Sequence, residues 1–251
     1  MMTPEQNELF RRMDDLASRC ARQGSVTVGS FLTPAEQLWL KSFRIPEDVH
    51  LVLSGGGKDN ERRCPFFLPW YAEDESEAVN EHIRAVHIKS YFGTAGHRDY
   101  QGAILALGIR REWLGDIQVE GEDGWVYCLA SVESTLLREL TKVGRVSVRC
   151  ESVALSAVPE RRVETRELHF TVKSLRVDAV TGELFSLSRT AAAEKIRLGE
   201  LSLNYSVCTK VDAEVHEGDV LSLRGHGKGS VTEVGGRSKK DRLFITAELR
   251  K

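Results

Sequence analysis

The segment RVDAVTGELFSLSRTAAAEKI, residues 176–196, contains residues that could support catalysis. Its aspartate, Asp178, lies two residues after Arg176. A carboxylate can act as a nucleophile in group transfer when its surroundings keep it ionised. The same segment also predicts two short helices, with Ser188 as an N-cap and with Ala192 and Ile196 facing inward. In this second interpretation Asp178 pairs with a nearby basic group or caps its helix, and it catalyses nothing.

The sequence around this segment predicts a small α+β module. Alternating residues indicate a strand just before it. Gly199 ends the second helix in a left-handed turn, and the next strand, at 201–203, turns back at Asn204. Gly218 makes a further turn before the strand VLSLRG. Two helices packed on a small curled sheet would form a complete fold.

Residues 83–151 show a different order, strand-helix-strand-strand-helix-strand, which is typical of the split βαβ or ferredoxin-like arrangement of RNA-recognition modules. One sheet face, with Val86 and Ile88, would pack on the helices. The opposite face would form a platform on which unpaired bases stack. Its members are His87, Lys89, Tyr91, Trp125 and Tyr127. The consensus RNA-recognition strand motif is missing, which favours the alternative that the N-terminal helices cover this face and bury the rings.

The first 80 residues predict an α/β region. A helix runs to about Gly24, a second begins after the N-cap Thr33, and VHLVLSGGG is an apolar strand that runs into a turn. The acidic segment EDESEAVNEH marks a boundary. The predicted parts are an N-terminal α/β region at 1–80, an RNA-recognition-like domain at 81–160 and a third domain with a basic extension at 161–251.

The composition of the 251 residues excludes several classes of protein. No apolar run approaches the roughly 18 residues that a membrane helix needs, and no secretion signal pattern is present, so we expect a cytoplasmic protein. The five cysteines form no Cys-x-x-Cys pair and the seven histidines show no metal-ligand spacing, so neither a metal nor a cofactor is predicted. Residues 161–251 carry a net charge of +4 and residues 1–160 one of −6. This asymmetry indicates a polyanionic partner for the third domain.

The third domain resembles the S4 RNA-binding domain, whose pattern is Arg-x-Asp, then Ser-Arg-x-x-Ala-x-x-x-Ile-x-x-Gly-x-x-x-x-Asn, then Gly-Asp. The matching residues are Arg176, Asp178, Ser188, Arg189, Ala192, Ile196, Gly199, Asn204, Gly218 and Asp219. The resemblance implies RNA binding, and we expect the guanidinium groups of Arg189 and Arg197, two helical turns apart, to point outward at phosphate oxygens. The predicted RNA contacts are Arg176, Ser188, Arg189, Lys195, Arg197 and Lys210, followed by Arg224, Lys228, Lys239 and Lys240 of the basic tail. That tail would be either a glycine-rich loop close to a phosphate backbone or a hairpin of exposed lysines.

Part of the same segment also resembles the Arg-Leu-Asp…Thr…Gly-Leu signature of pseudouridine synthases, in which the aspartate is the nucleophile. Here the Arg-x-Asp lies inside the S4 pattern, and TGEL at 181–184 lacks the synthase spacing. We therefore predict that the protein is not an enzyme. The alternative is an RNA-modifying enzyme in which Asp178 is the nucleophile.

Three further segments, FLTPAEQ, GHRDYQGAILALGIRREWLGDIQV and GDVLSLRGHGKGSV, resemble the YlmH family of S4-domain proteins. The resemblance implies a monomeric factor of ribosome-associated quality control. Such a factor would bind ribosomal RNA of the large subunit near the peptidyl-tRNA of stalled complexes, together with an RqcH-type factor. A second alternative is an S4-tethered regulatory adaptor, with a role related to photosystem II or cell division.

Overall fold

The protein has two compact units, Met1–Arg161 and Arg162–Lys251. They are seen in a computed structural model that describes residues 2–72, 74–161 and 165–250. Each unit combines helices with antiparallel sheets. The predicted α+β class is confirmed.

The N-terminal part of the first unit packs a long helix on a small sheet. Its elements are α1 (Pro4–Gln23), β1 (Thr27–Val28), α2 (Pro34–Trp39) followed by a 3-10 turn (Leu40–Ser42), β2 (Val49–Ser54) and β3 (Cys64–Pro69). The strand order is β1-β3-β2. Apolar residues recur on one face of α1 at helical spacing, so that Leu9, Met13 and Cys20 are buried in one cluster with Phe67 of β3.

The end of α1 and the start of α2 lie where the local sequence predicts. The hydroxyl of Thr33 accepts a hydrogen bond from the Glu36 backbone N–H, and the Glu36 carboxylate accepts one from the Thr33 N–H. This capping box satisfies donors that an α-helix leaves unpaired at its start. α1 ends at Gly24, whose φ of 61° lies in the left-handed region. The predictions for Thr33 and Gly24 are confirmed.

The central part of the first unit forms a five-stranded sheet covered by helices. Its elements are α3 (Glu75–His82), β4 (Ile83–Ser90), α4 (His97–Ala106), a 3-10 turn (Arg111–Trp113), β5 (Leu114–Glu120), β6 (Asp123–Leu129), α5 (Ala130–Glu139), β7 (Lys142–Val143), β8 (Val146–Val153) and a 3-10 turn (Leu155–Ala157). The strand order β5-β6-β4-β8-β7 places β4 and β6 side by side. Apart from the short added β7, this is the predicted split βαβ series.

The helices α4 and α5 cover one face of this sheet. Val86 and Ile88 of β4 and Val126 of β6 are buried there, together with Tyr100 of α4 and Leu136 of α5. Side chains alternate across a strand, so the same strands present their other residues to the opposite face. The prediction for the helix-covered face is confirmed.

The N-terminal part covers one end of the opposite face. Phe31 and Phe66 belong to one hydrophobic cluster with Ala85 of β4 and with Trp125 and Tyr127 of β6. This cluster joins residues from both sides of the predicted boundary near residue 80. The division of the chain into three domains therefore remains a prediction, since both of the first two parts lie in one compact unit.

Hydrogen bonds fix the N-terminal part to strand β5. The Asp116 carboxylate accepts the backbone N–H groups of Glu61 and Arg62, each at 2.9 Å. The guanidinium of Arg62 donates to the carbonyl oxygens of Leu114 and Phe31. Hydrogen bonds to charged groups are stronger than those between neutral groups, so these contacts hold the covered end of the sheet in place.

The second unit packs two short helices on a six-stranded sheet. Its elements are β9 (Thr165–Val172), α6 (Val177–Leu184), α7 (Arg189–Arg197), β10 (Leu201–Leu203), β11 (Ser206–Val207), β12 (Val220–Leu223), β13 (Gly227–Arg237) and β14 (Leu243–Arg250). The strand order is β11-β10-β12-β13-β14-β9. Val180 and Leu184 of α6 and Ile196 of α7 are buried against Leu221 and Val231 of the sheet.

Turn and cap residues set the path of this unit. The Ser188 hydroxyl accepts the Ala191 backbone N–H at 3.1 Å, and Gly199, with a φ of 73°, follows the end of α7. Asn204 and Tyr205 both have positive φ, as the tight turn between β10 and β11 requires. These caps and turns are the predicted ones. The glycine-rich tail is a paired hairpin of β13 and β14, with exposed lysines in its turn.

Candidate nucleic-acid interface

Asp178 lies at the centre of a charged cluster at the start of α6. Its Oδ1 accepts hydrogen bonds from Arg176 Nε at 3.2 Å and Arg189 Nη2 at 3.3 Å. Its Oδ2 accepts from Arg176 Nη2 and Arg189 Nε, both at 3.1 Å. The Asp178 side chain is 7% exposed, whereas those of Arg176 and Arg189 are 38% and 58% exposed. One nearly buried carboxylate therefore holds two guanidinium groups that reach the surface.

Two opposing effects determine the charge state of Asp178. Burial alone would raise the pKa of its carboxyl group, but the hydrogen bonds and positive charges of Arg176 and Arg189 outweigh burial and lower the pKa below its ordinary value. The hydrogen bond to Asp178 is also the main reason why the pKa of Arg176 is raised. The Asp178 carboxylate is thus ionised at neutral pH.

The orientation of Arg189 differs from our expectation that its guanidinium points freely outward. Its Nε and Nη2 face Asp178, eleven residues earlier in the chain, so that only the remaining N–H groups are available to a ligand. The expectation that Asp178 pairs with a nearby basic group is confirmed. With both carboxylate oxygens in charge-assisted hydrogen bonds, the geometry favours a supporting role over a nucleophilic one.

Lys210 and Arg197 are two further cations of the second unit. The Asp178 backbone N–H bonds to the carbonyl oxygen of Val211, which brings the neighbouring Lys210 to the start of α6. Arg197 ends α7, about 12 Å along the helix axis from Arg189. Both Lys210 and Arg197 are exposed. Among the described residues, no carboxylate forms an ion pair with either.

The other predicted contacts of the second unit fall into separate groups. The Glu200 carboxylate is paired with Lys195 at 2.8 Å, and the Glu200 backbone carbonyl oxygen accepts the N–H of Arg224. The ammonium of Lys228 lies 5.3 Å from the ring centroid of Tyr205. The lysines 239 and 240 lie apart from both, in the exposed turn between β13 and β14.

The predicted stacking platform of the first unit is not intact, which corrects part of our expectation. Trp125 and Tyr127 are only 8% and 4% exposed, because the N-terminal part packs on them. His87 stacks on Trp125 with a ring separation of 4.9 Å, and its two ring nitrogens contact Asp123 and Glu151. Bases therefore have no access to the faces of Trp125 and Tyr127. The alternative was that the N-terminal helices bury these rings. The rings are buried at this end of the sheet, but the covering residues Phe31 and Phe66 lie before α2 and in β3 and not in those helices.

Lys89 and Tyr91 lie beyond the covered end and are exposed. Lys89 lies on the same face of β4 as His87, two residues further along the strand, and Tyr91 directly follows the end of β4. Only this part of the predicted platform remains open to a ligand.

The described residues contain no group of three or more His, Cys, Asp and Glu side chains that could hold a metal ion. The five cysteines are free thiols, and Cys20, Cys64 and Cys128 are buried. Burial raises the pKa of Cys128 to about 12, which keeps this thiol protonated and unreactive. In the part of the chain that the structure describes, no helix has the length and apolar character needed to cross a membrane.

Comparison with known proteins places the chain in a family. Over 223 residues it is 32% identical to a Bacillus subtilis (strain 168) protein named "Ribosome-associated protein quality control protein P2". The match covers 88% of this chain and 86% of that protein. The chain belongs to the YlmH family. Residues 75–157 of this YlmH-family chain match the family model described as "Putative RNA-binding domain in YlmH". The matched range comprises α3 to β8.

A solved structure also resembles this YlmH-family protein. It is described as "Cell division protein ylmH from Streptococcus pneumoniae" and matches with a TM-score of 0.53 and 17% sequence identity. The match covers 63% of this chain and 96% of that one. At this level of identity the likeness shows a shared fold.

Proposed function

We propose that this protein is a non-enzymatic RNA-binding factor of ribosome-associated quality control. In this proposal the second unit is an S4 domain that docks on ribosomal RNA of the large subunit, near the peptidyl-tRNA of stalled complexes, in the cytoplasm. The protein would act as a monomer, without a cofactor, beside an RqcH-type factor. Membership of the YlmH family and the name of the Bacillus subtilis relative support the setting.

The observation that carries this proposal is the pairing of Arg176 and Arg189 with Asp178. A free arginine loses side-chain entropy when it binds a phosphate, whereas a guanidinium already held by two hydrogen bonds has lost much of that freedom. Each group still has N–H donors that do not face Asp178, and both side chains are partly exposed. The cluster therefore presents two oriented cations to a phosphate backbone.

Neighbouring groups complete a surface suited to RNA. The first turn of α7 leaves backbone N–H groups unpaired, and Ser188 satisfies one of them at Ala191. Arg189, a member of the Asp178 cluster, is the first residue of α7, and Lys210 and Arg197 are further exposed cations of the same unit. Phosphate contacts of this kind fix the register and orientation of a protein on RNA and supply most of its salt-dependent affinity.

Co-sedimentation with isolated large ribosomal subunits tests this function. The double variant Arg189→Ala with Arg197→Ala removes one oriented and one exposed cation, and we expect it to lose co-sedimentation while its circular-dichroism spectrum stays that of the parent. The matched control is Arg166→Ala with Arg250→Ala, which removes two exposed arginines from strands β9 and β14 of the same unit. Retained sedimentation of the first variant, or an equal loss in the control, would contradict the proposal.

A further inference from the structure

The end of the first unit's sheet that the N-terminal part leaves uncovered carries cations on one face. Residues opposite each other in antiparallel strands share a face. Lys89 of β4 is opposite Arg149 of β8, and Ser147 of β8 is opposite Lys142 of β7. The Tyr91 backbone N–H bonds to the Ser147 carbonyl oxygen, which extends the β4–β8 register by one residue. We call the exposed residues Lys89, Tyr91, Lys142, Ser147 and Arg149 the open sheet end.

The cations of the open sheet end are available to an anion. No carboxylate among the described residues forms an ion pair with Lys89, Lys142 or Arg149. Asp123, which is opposite Lys89 in the register with β6, has its carboxylate 3.0 Å from a ring nitrogen of His87. Lys89 and Arg149 form one row across the sheet, and Lys142 belongs to a second row. The two rows are two residues apart along the strand, or about 7 Å. This spacing allows neighbouring phosphates of an extended strand to contact different rows.

Two exposed aromatic residues follow Lys89 closely in the chain. Tyr91 is 58% exposed and Phe92, the next residue, is 88% exposed. The chain then turns at Gly93, whose φ is 92°, and the Ser90 hydroxyl donates to the Gly93 carbonyl oxygen at 2.7 Å. A single exposed apolar residue is common on a protein surface, but two consecutive exposed rings at the same sheet end as three cations without a carboxylate partner among the described residues form a combination suited to nucleotides.

We propose that the open sheet end, with Phe92, binds a short segment of single-stranded RNA. Bases stack on Tyr91 and Phe92, and Lys89, Lys142 and Arg149 contact the phosphates. Stacking on a ring face tolerates any base, so this site holds RNA without selecting a sequence. The site uses other residues than the central rings Trp125 and Tyr127, which are buried. Its biological setting rests on the proposed RNA-binding function, but its residues lie in the other unit.

Binding of the full-length protein to a fluorescein-labelled uridine oligomer tests the site. An oligomer of about 12 nucleotides falls within the usual site size of single-strand binders. We expect Tyr91→Ala with Phe92→Ala to weaken binding about tenfold or more, measured by fluorescence anisotropy, because the double variant removes both stacking surfaces. Tyr91→Phe with Phe92→Tyr keeps both rings and should bind like the parent.

The matched control for the loss of an exposed ring is Trp70→Ala. Trp70 is 64% exposed and lies in the N-terminal part of the same unit, next to Tyr71. This variant should bind the oligomer with unchanged affinity. Thermal melting of all variants should match the parent, since the substituted rings are largely exposed. An equal loss for Trp70→Ala, unchanged binding of the double alanine variant, or failure of the parent to bind the oligomer would each overturn the inference.

Photocrosslinking separates this site from the second unit. The same oligomer with 4-thiouridine should crosslink to peptides that contain residues 89–98, located by mass spectrometry. Crosslinks confined to the second unit would overturn the open sheet end as a binding site while leaving the proposed function intact. The opposite outcome is also possible. If crosslinks form at residues 89–98 while Arg189→Ala with Arg197→Ala still co-sediments with large subunits, S4 docking is contradicted and this inference is not.

Discussion

The cations of the two units differ in how they are held. In the second unit, Asp178 fixes Arg176 and Arg189 through four hydrogen bonds. In the first unit, Lys89 and Arg149 extend from the sheet without a carboxylate partner among the described residues. Held cations lose little freedom on binding and favour one geometry, whereas free cations adapt to many. The comparison suggests that the second unit docks on a structured RNA and that the first contacts a flexible strand.

The largest expected effect comes from Asp178→Asn. This substitution removes the negative charge that holds the guanidinium groups of Arg176 and Arg189. The variant keeps the shape of the side chain but removes its charge. We expect the second unit to lose about 2 kcal/mol of its free energy of unfolding, as is typical when hydrogen bonds to a buried charged group are lost. Subunit co-sedimentation should also weaken, although the net positive charge increases. Thermal melting and sedimentation measure the two effects, and stronger sedimentation would show that charge alone determines docking.

A smaller effect on stability is expected when the pH is lowered. Because the pKa of Asp178 is lowered in the folded state, its contribution to stability is fully present above its ordinary unfolded value, near pH 4. The contribution decreases as the pH falls through the lower folded value. The difference in melting temperature between the parent and Asp178→Asn should therefore be constant from pH 7 to about pH 5 and shrink below about pH 4. A difference that already shrinks near pH 6 would contradict the assigned ion pairs.

The smallest effect is expected from Glu200→Gln, which removes the carboxylate partner of Lys195. The pKa of Glu200 is lowered, mainly by the hydrogen bond from Lys195, but both side chains are more than a quarter exposed. Solvent screens such a pair, so we expect no measurable change in melting temperature. If Glu200→Gln lowered the melting temperature as much as Asp178→Asn, a buried and an exposed carboxylate would contribute equally to the stability of this unit, which would contradict our expectation.

Local sequence was sufficient to predict much of the fold. The caps at Thr33 and Ser188, the glycine after α7 and the chain order of strands and helices in residues 83–151 depend on interactions within a few residues or on simple alternation. The coverage of Trp125 and Tyr127 depends instead on how a distant segment packs. The alternation of a strand predicts which residues share a face but not whether another part of the chain covers that face.

The candidate sites were predicted less completely for the same reason. Helical spacing placed Arg189 on the surface of α7 but could not show that its guanidinium turns to a carboxylate eleven residues earlier. Arg149 and Lys142 were missed because their proximity to Tyr91 depends on the pairing of β8 with β4 and β7. The alternation in RVSVRCE does predict the strand face of Arg149, because residues two apart share a face and Arg149 therefore lies on the same face as Glu151. Phe92 carries no signal of this kind.

Because two arginines share a single aspartate, these three side chains are energetically coupled. Loss of the aspartate leaves both arginines unsupported, and loss of one arginine changes the balance of charge on the other. Their substitutions should therefore be strongly non-additive. A relative that has replaced Asp178 by a neutral residue would be expected to have replaced one of its arginines as well.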